Sequence, residues 1–104
     1  MRNVALKGDS LNGICPQPLG PVPFTGNIST GSPNVYINGK QAARVGDITD
    51  EYCPADGLAH GKIIIGSSKV FINGMPAAYA LEVIQPHAGT ASLTSGGSTN
   101  VFIE

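Results

Sequence analysis

The 104-residue sequence contains no tryptophan, and aromatic residues make up only 6% of it. Charge is scarce as well: charged residues are 12% and the formal net charge is −1. Lys and Arg form no cluster, so the electrostatic footprint that binds nucleic acid or anionic lipid is missing. No apolar run approaches a membrane span, and the stretch from Met1 to Asp9 lacks the apolar segment of a secretory signal. These absences predict a soluble chain synthesised in the cytoplasm, with no nucleic-acid partner and no stable membrane insertion. Only two cysteines occur, Cys15 and Cys53, and in a reducing compartment they are expected as free thiols or metal ligands rather than a disulfide. No stretch reads as a convincing helix.

Gly 14 and Pro 8 are high, which suits tight turns and extended segments. A chain of this length makes one domain and buries only roughly 60 to 70 per cent of its unfolded surface, so its modest core needs support.

One stretch repeats. Gly31-Ser32-Pro33-Asn34-Val35-Tyr36-Ile37-Asn38-Gly39, followed by Gln41-Ala42-Ala43-Arg44-Val45-Gly46-Asp47, meets Gly66-Ser67-Ser68-Lys69-Val70-Phe71-Ile72-Asn73-Gly74 and Pro76-Ala77-Ala78-Tyr79 at 35 positions further on. A third copy is split between the ends of the chain: Gly97 to Glu104 reproduces the first half, and Arg2 to Asp9 the second. Asn-Gly between short apolar runs is the strongest local hairpin signal, because both central residues of a type I′ turn need positive φ. Alternation places Val35 and Ile37, or Val70 and Ile72, on one face and Tyr36 or Phe71 on the other. The expected fold is all-β: a closed ring of three pseudo-threefold β-hairpins, the third formed by the two chain termini. Pro76, which lacks an N–H, should sit where no ladder bond is required. The Gly-Ser pairs before each hairpin mark corners of close backbone approach.

Three long connections link the hairpins and read as irregular loops. The first, through Pro16, Pro18, Pro21 and Pro23, is expected to be extended, near polyproline II. All the Cys and His residues lie in these connections. Cys15 follows Asp9 by six positions, Cys53 follows Asp47 by six, and His87 follows Glu82 by five. A threefold ring therefore gathers Cys15, Cys53 and His87 near its axis, and His60, which has no twin, is the candidate fourth ligand of a tetrahedral two-Cys, two-His shell. The alternative is a buried or disulfide-bonded Cys15 and Cys53 pair with two surface histidines.

The case for catalysis is poor. Asp9 and Asp47 stand in Gly-Asp corners, where a carboxylate usually accepts backbone N–H bonds. A Cys-dependent hydrolase would have Cys53 with His60, or Cys15 with His87, as its nucleophilic pair, but no oxyanion hole or substrate pocket is legible beside either. The expectation is a protein that is not an enzyme.

The Gly-Ser-x-x-Val-aromatic-Ile-Asn-Gly blocks at 31–39 and 66–74, with Ala42-Ala43-Arg44 and Pro76-Ala77-Ala78, resemble the PAAR-repeat proteins, which sharpen the central spike of contractile injection machines. The likeness covers nearly the whole chain. It departs at Gln41, where the family has Pro, and at Tyr79, where it has Arg. The resemblance implies a short cone of three hairpins with a metal near its apex, held in the family typically by three His and one Cys. Here the set would be Cys15, Cys53, His60 and His87, and thiolates favour zinc, with iron the alternative. It also implies a structural role: one copy caps a trimeric spike of the VgrG or phage-hub type, in a type VI secretion system or phage tail. Such a protein would be a monomer when free, would aid envelope penetration, and would be delivered outside the cell or carried on a virion. A single domain over 1–104 without an extension domain is expected, either as a bare tip, with or without effector cargo, or as a free-standing metal-binding module or cargo adaptor.

Overall fold

A computed structural model of the chain describes residues 2–16, 21–54, 57–87, 89–94, 97–98 and 101–103. Pro18 and the third turn, at Met1 and Glu104, lie outside the described residues. Asn38 and Asn73 both have φ of 54°, and Gly39 and Gly74 both have 82°. These are the paired positive values of a type I′ turn, and each joins a short ladder. The strands are β1 (Arg2–Asn3), β2 (Ser10–Cys15), β3 (Val22–Ile28), β4 (Tyr36–Ile37), β5 (Lys40–Gln41), β6 (Ile48–Cys53), β7 (Gly57–Lys62), β8 (Gly66–Ile72), β9 (Met75–Ala78), β10 (Val83–Ile84), β11 (Thr90–Leu93) and β12 (Phe102–Ile103).

The three repeat hairpins are β4–β5, β8–β9 and β1–β12, and in the last the two ends of the chain pair as Arg2↔Ile103 and Asn3↔Phe102. Tyr36 and Phe71 face outward while Ile72 is buried, as strand alternation requires. Pro76 sits inside β9 opposite Phe71, where its carbonyl accepts the Val45 N–H at 2.8 Å.

The connections are more ordered than the expected loops: they carry the longer strands. They form one six-stranded antiparallel sheet, ordered β10-β11-β2-β3-β6-β7, built of three further hairpins. A two-way bond between Lys62 and Gln85, 2.9 and 3.0 Å, returns β7 to the chain just beyond β10 and closes the sheet on itself. The inner face of this sheet is largely apolar: Leu11 and Cys15 from β2, Phe24 and Ile28 from β3, Ala91 and Leu93 from β11 point into the core.

The two tiers meet at a ring on the axis. Ala5 N–H donates to Ala78 C=O at 2.9 Å, Ala78 N–H to Ala43 at 3.0 Å, and Ala43 N–H to Ala5 at 3.0 Å, closing a triangle of main-chain bonds among equivalent residues. All three are fully buried, and a methyl group is the side chain that lets three backbones approach one axis. On the sheet side the core is Leu11, Phe24, Ile28, Ile63 and Leu93. On the hairpin side it is Val4, Leu6, Ile72 and Ile103. The molecule measures 42 × 23 × 23 Å, with two equal transverse extents, as a threefold object about its long axis requires.

The recurrent small residues lock neighbouring units together. Ser32, Ser67 and Ser98 are buried, and their hydroxyls accept the N–H of Val35, Val70 and Val101 at 3.0, 2.9 and 2.9 Å. The Ser32 hydroxyl also donates to Asn73 Oδ1 at 2.6 Å, and Asn38 donates to Ser98 at 3.4 Å, so turn residues of one unit clasp the corner of another. A Cβ on Gly66 would lie 2.6 Å from the Ala77 carbonyl, and one on Gly97 would lie 2.3 Å from the equivalent carbonyl of Val4. The corner carboxylates behave as read: Asp9 accepts the Leu6 N–H at 2.8 Å and Asp47 the Arg44 N–H at 2.7 Å.

Candidate metal centre

β2 and β6 run away from the Asp corners to the far end of the sheet, and six residues of strand span about 20 Å. Along β6 the buried residues Thr49, Glu51 and Cys53 alternate with outward Ile48, Asp50 and Tyr52. Along β2, Leu11 and Cys15 do the same. Both cysteines thus end on the inner face, fully buried and free of disulfide.

Three of the four candidate ligands converge. The sulfurs of Cys15 and Cys53 and a ring nitrogen of His87 all lie within 4.8 Å of one another, and Cys15 Sγ is 3.5 Å from His87 Nε2. His60, the fourth candidate, stands apart from this cluster. It pairs with Asp50 across β6–β7 and shares that residue's outward face, as Thr25 does one unit earlier. Its side chain is 60% exposed, with Nδ1 3.0 Å from Asp50 Oδ1. Alternation turns its ring away from the axis.

The His87 ring packs edge-on against Phe24, with centroids 5.0 Å apart. Its other nitrogen, Nδ1, lies 2.5 Å from Glu51 Oε1, and the His87 main-chain N–H donates to the same oxygen at 2.9 Å. A carboxylate oxygen accepts, so Nδ1 carries a hydrogen, and in the neutral ring Nε2 is the nitrogen whose lone pair is turned toward the sulfurs. Glu51 Oε2 receives the Thr49 hydroxyl at 2.7 Å, and Thr49 in turn accepts the Gly61 N–H at 3.1 Å. The Glu51 carboxylate raises the His87 pKa above its ordinary value, and Cys53 adds to the effect against the opposing pull of burial.

Two thiols and an imidazole nitrogen, shielded from water and converging on one point, suit a borderline-soft ion. The carboxylate behind the histidine completes the outer shell such centres use. Cys15, Cys53 and His87 are therefore the residues that could hold a metal. The same geometry bears on nucleophilic chemistry: Cys53 and His60 lie on opposite faces of the sheet, and the Cys15 sulfur, though near His87, is sealed from any substrate. Sequence reasoning missed Glu51 and Thr49. The signal was their i, i+2, i+4 spacing with Cys53, which becomes visible once this connection is taken as a strand.

The chain matches the family model described as PAAR motif in two overlapping registers, over residues 1–54 and over residues 24–84. No curated protein sequence matches it.

Proposed function

We propose, from the premise that this chain belongs to the PAAR-motif family, that it caps and sharpens the trimeric β-helical spike of a contractile injection machine. The observation that carries this reading is threefold symmetry within one chain: the closed triangle of Ala5, Ala43 and Ala78 and the equivalent hairpins around it. A homotrimeric spike of the VgrG or phage-hub type ends in three identical sets of strand edges. One chain with three near-equal faces meets all of them at once.

The end carrying the short hairpins is the face assigned to the spike. Tyr36, Phe71 and Phe102 stand there at equivalent positions, exposed to 58%, 57% and 48%, and aromatic side chains are favoured anchors of protein interfaces. The opposite end leads into the target envelope. A zinc ion held by Cys15, Cys53 and His87, with iron the alternative, would tie together three hairpins remote in sequence. The protein is then a mechanical part rather than an enzyme, monomeric until it meets its spike and delivered beyond the producing cell or carried on a virion tail.

Co-expression with the cognate spike, followed by native mass measurement, is expected to give one copy of this chain per three spike chains. A 3:3 complex, or none, overturns the reading. Replacing Tyr36, Phe71 and Phe102 together by Ser is expected to abolish the complex without changing metal content.

A further inference from the structure

His87 stands on the wrong side of its strand by position. It follows its corner residue Glu82 by five places, as Ile14 follows Asp9 and Tyr52 follows Asp47, and Ile14 and Tyr52 both face outward. The inward positions are one residue later, at Cys15 and Cys53. In a strand of period two, a single-residue offset moves a side chain to the opposite face. Yet the His87 side chain is only 10% exposed and its Nε2 reaches the cysteine sulfurs.

The local structure shows how this parity is reversed. β10 ends at Ile84, Gln85 makes the last ladder pair with Lys62, and Pro86 follows with no N–H to give. In the other two junctions the ladder continues through Thr90↔Ile14 and Thr25↔Tyr52. At this one the His87 N–H leaves the ladder and goes to the side chain of Glu51, which also takes the ring Nδ1. Glu51 has no counterpart in the other units, where Gly13 and Pro86 occupy its place, and Thr49 likewise replaces the core residues Leu11 and Ile84. Room for the carboxylate comes from Gly61, where a Cβ would lie 2.3 Å from Glu51 Oε2.

We propose that Glu51 is the positioning residue that makes His87 a metal ligand: by holding both its main-chain N–H and its Nδ1, it swings the ring from the outer to the inner face and aims Nε2 at the sulfurs. Thr49 fixes Glu51, and Gly61 leaves it space. The inference rests on reading Cys15, Cys53 and His87 as a metal centre, and the test separates the two.

Zinc affinity is measured by chelator competition for the full chain, for Glu51→Gln, which keeps the shape and loses the charge, and for Thr49→Val, whose apolar side chain is like those at the equivalent positions. Outer-shell carboxylates typically change metal affinity by about 10- to 100-fold, and that loss is expected for Glu51→Gln; Thr49→Val should lose less. The cobalt(II) forms should keep their thiolate charge-transfer band while the d–d envelope shifts. ¹⁵N spectra of the cadmium-113 form should show Nε2 coupled to the metal in the unmodified chain and weakened in Glu51→Gln. Circular dichroism of the metal-free proteins checks that all three are folded. If Glu51→Gln fails to fold, Thr49→Val alone decides, by the same spectra. Variants that bind zinc within about threefold of the unmodified chain, with unchanged spectra, overturn the role of Glu51 while leaving the metal centre standing. An unmodified chain that binds no zinc or cobalt overturns both.

Discussion

Replacing Cys53 by Ser separates the contribution of a metal from that of packing. Cys53 is buried at the inner end of β6, with its sulfur in the cluster formed with Cys15 and His87. Without metal, the substitution places a hydroxyl in a sealed site, at a cost of about 1–2 kcal/mol. With metal present at 1,000 times its dissociation constant, binding adds about 4 kcal/mol to the stability of the unmodified chain. Loss of one of three converging ligands removes most of that. The gap between the two proteins should therefore be about 1–2 kcal/mol in chelator and about 5–6 kcal/mol in excess zinc. For a domain near this size each kcal/mol moves the melting temperature by about 4 °C or more. Calorimetric melts of both proteins in both conditions, with elemental analysis of zinc, give the four numbers required. Equal destabilisation with and without zinc, or unchanged zinc content in Cys53→Ser, would refute the reasoning.

Leu81 has φ of 63° where the equivalent residues are Gly8 and Gly46, so Leu81→Gly should relieve left-handed strain and raise stability by about 0.5–1 kcal/mol, a gain read from the urea midpoint. Ala43→Leu forces a larger side chain into the axial ring and should cost about 1–3 kcal/mol, so an unmoved denaturation midpoint would mean the axis has spare room. Ser32→Ala strips an acceptor from the Val35 N–H and a donor from Asn73 and should cost about 1–2 kcal/mol in a thermal melt. The Arg2 guanidinium, 2.9 Å from Glu82, holds that carboxyl below its usual range. This pair's stabilisation is therefore present above the unfolded carboxylate pKa and lost as pH falls through the lower folded value. Because Arg2 is nearly half exposed, the contribution should stay within about 1 kcal/mol, and the difference from Glu82→Gln should vanish in strong acid and shrink with salt.

The turns, the alternation beside them and the threefold closure were legible because each rests on local chemistry: Asn-Gly demands positive φ, and Val-x-Ile selects a face. The Asp corners were legible for the same reason. The long strands were hidden because glycine and proline interrupt their period. Gly13, Gly26 and Gly61 are on these strands since neighbouring backbones press close; a Cβ on Gly26 would lie 2.0 Å from the Asp50 carbonyl. Nothing local reports that pressure, so the segments read as loops. Cys15, Cys53 and His87 followed from the symmetry, whereas His60 was assigned without a register and the register turns it outward. Glu51 escaped notice because a charged residue in a half-buried strand is normally expected in solvent.

The three junctions between the long hairpins are unequal. β11 with β2 and β3 with β6 are zipped over continuous ladders, while β7 joins the chain beyond β10 at Lys62 and Gln85 alone among the described residues. If the protein is loaded end-on, as the proposed spike tip would be, a closed wall opens first along the junction that the fewest backbone bonds hold. That seam lies beside Pro86 and His87, whose Nε2 is 3.5 Å from the Cys15 sulfur. A bond from the histidine to an ion shared with the two better-zipped hairpins would act as a rivet across the joint where splitting would begin.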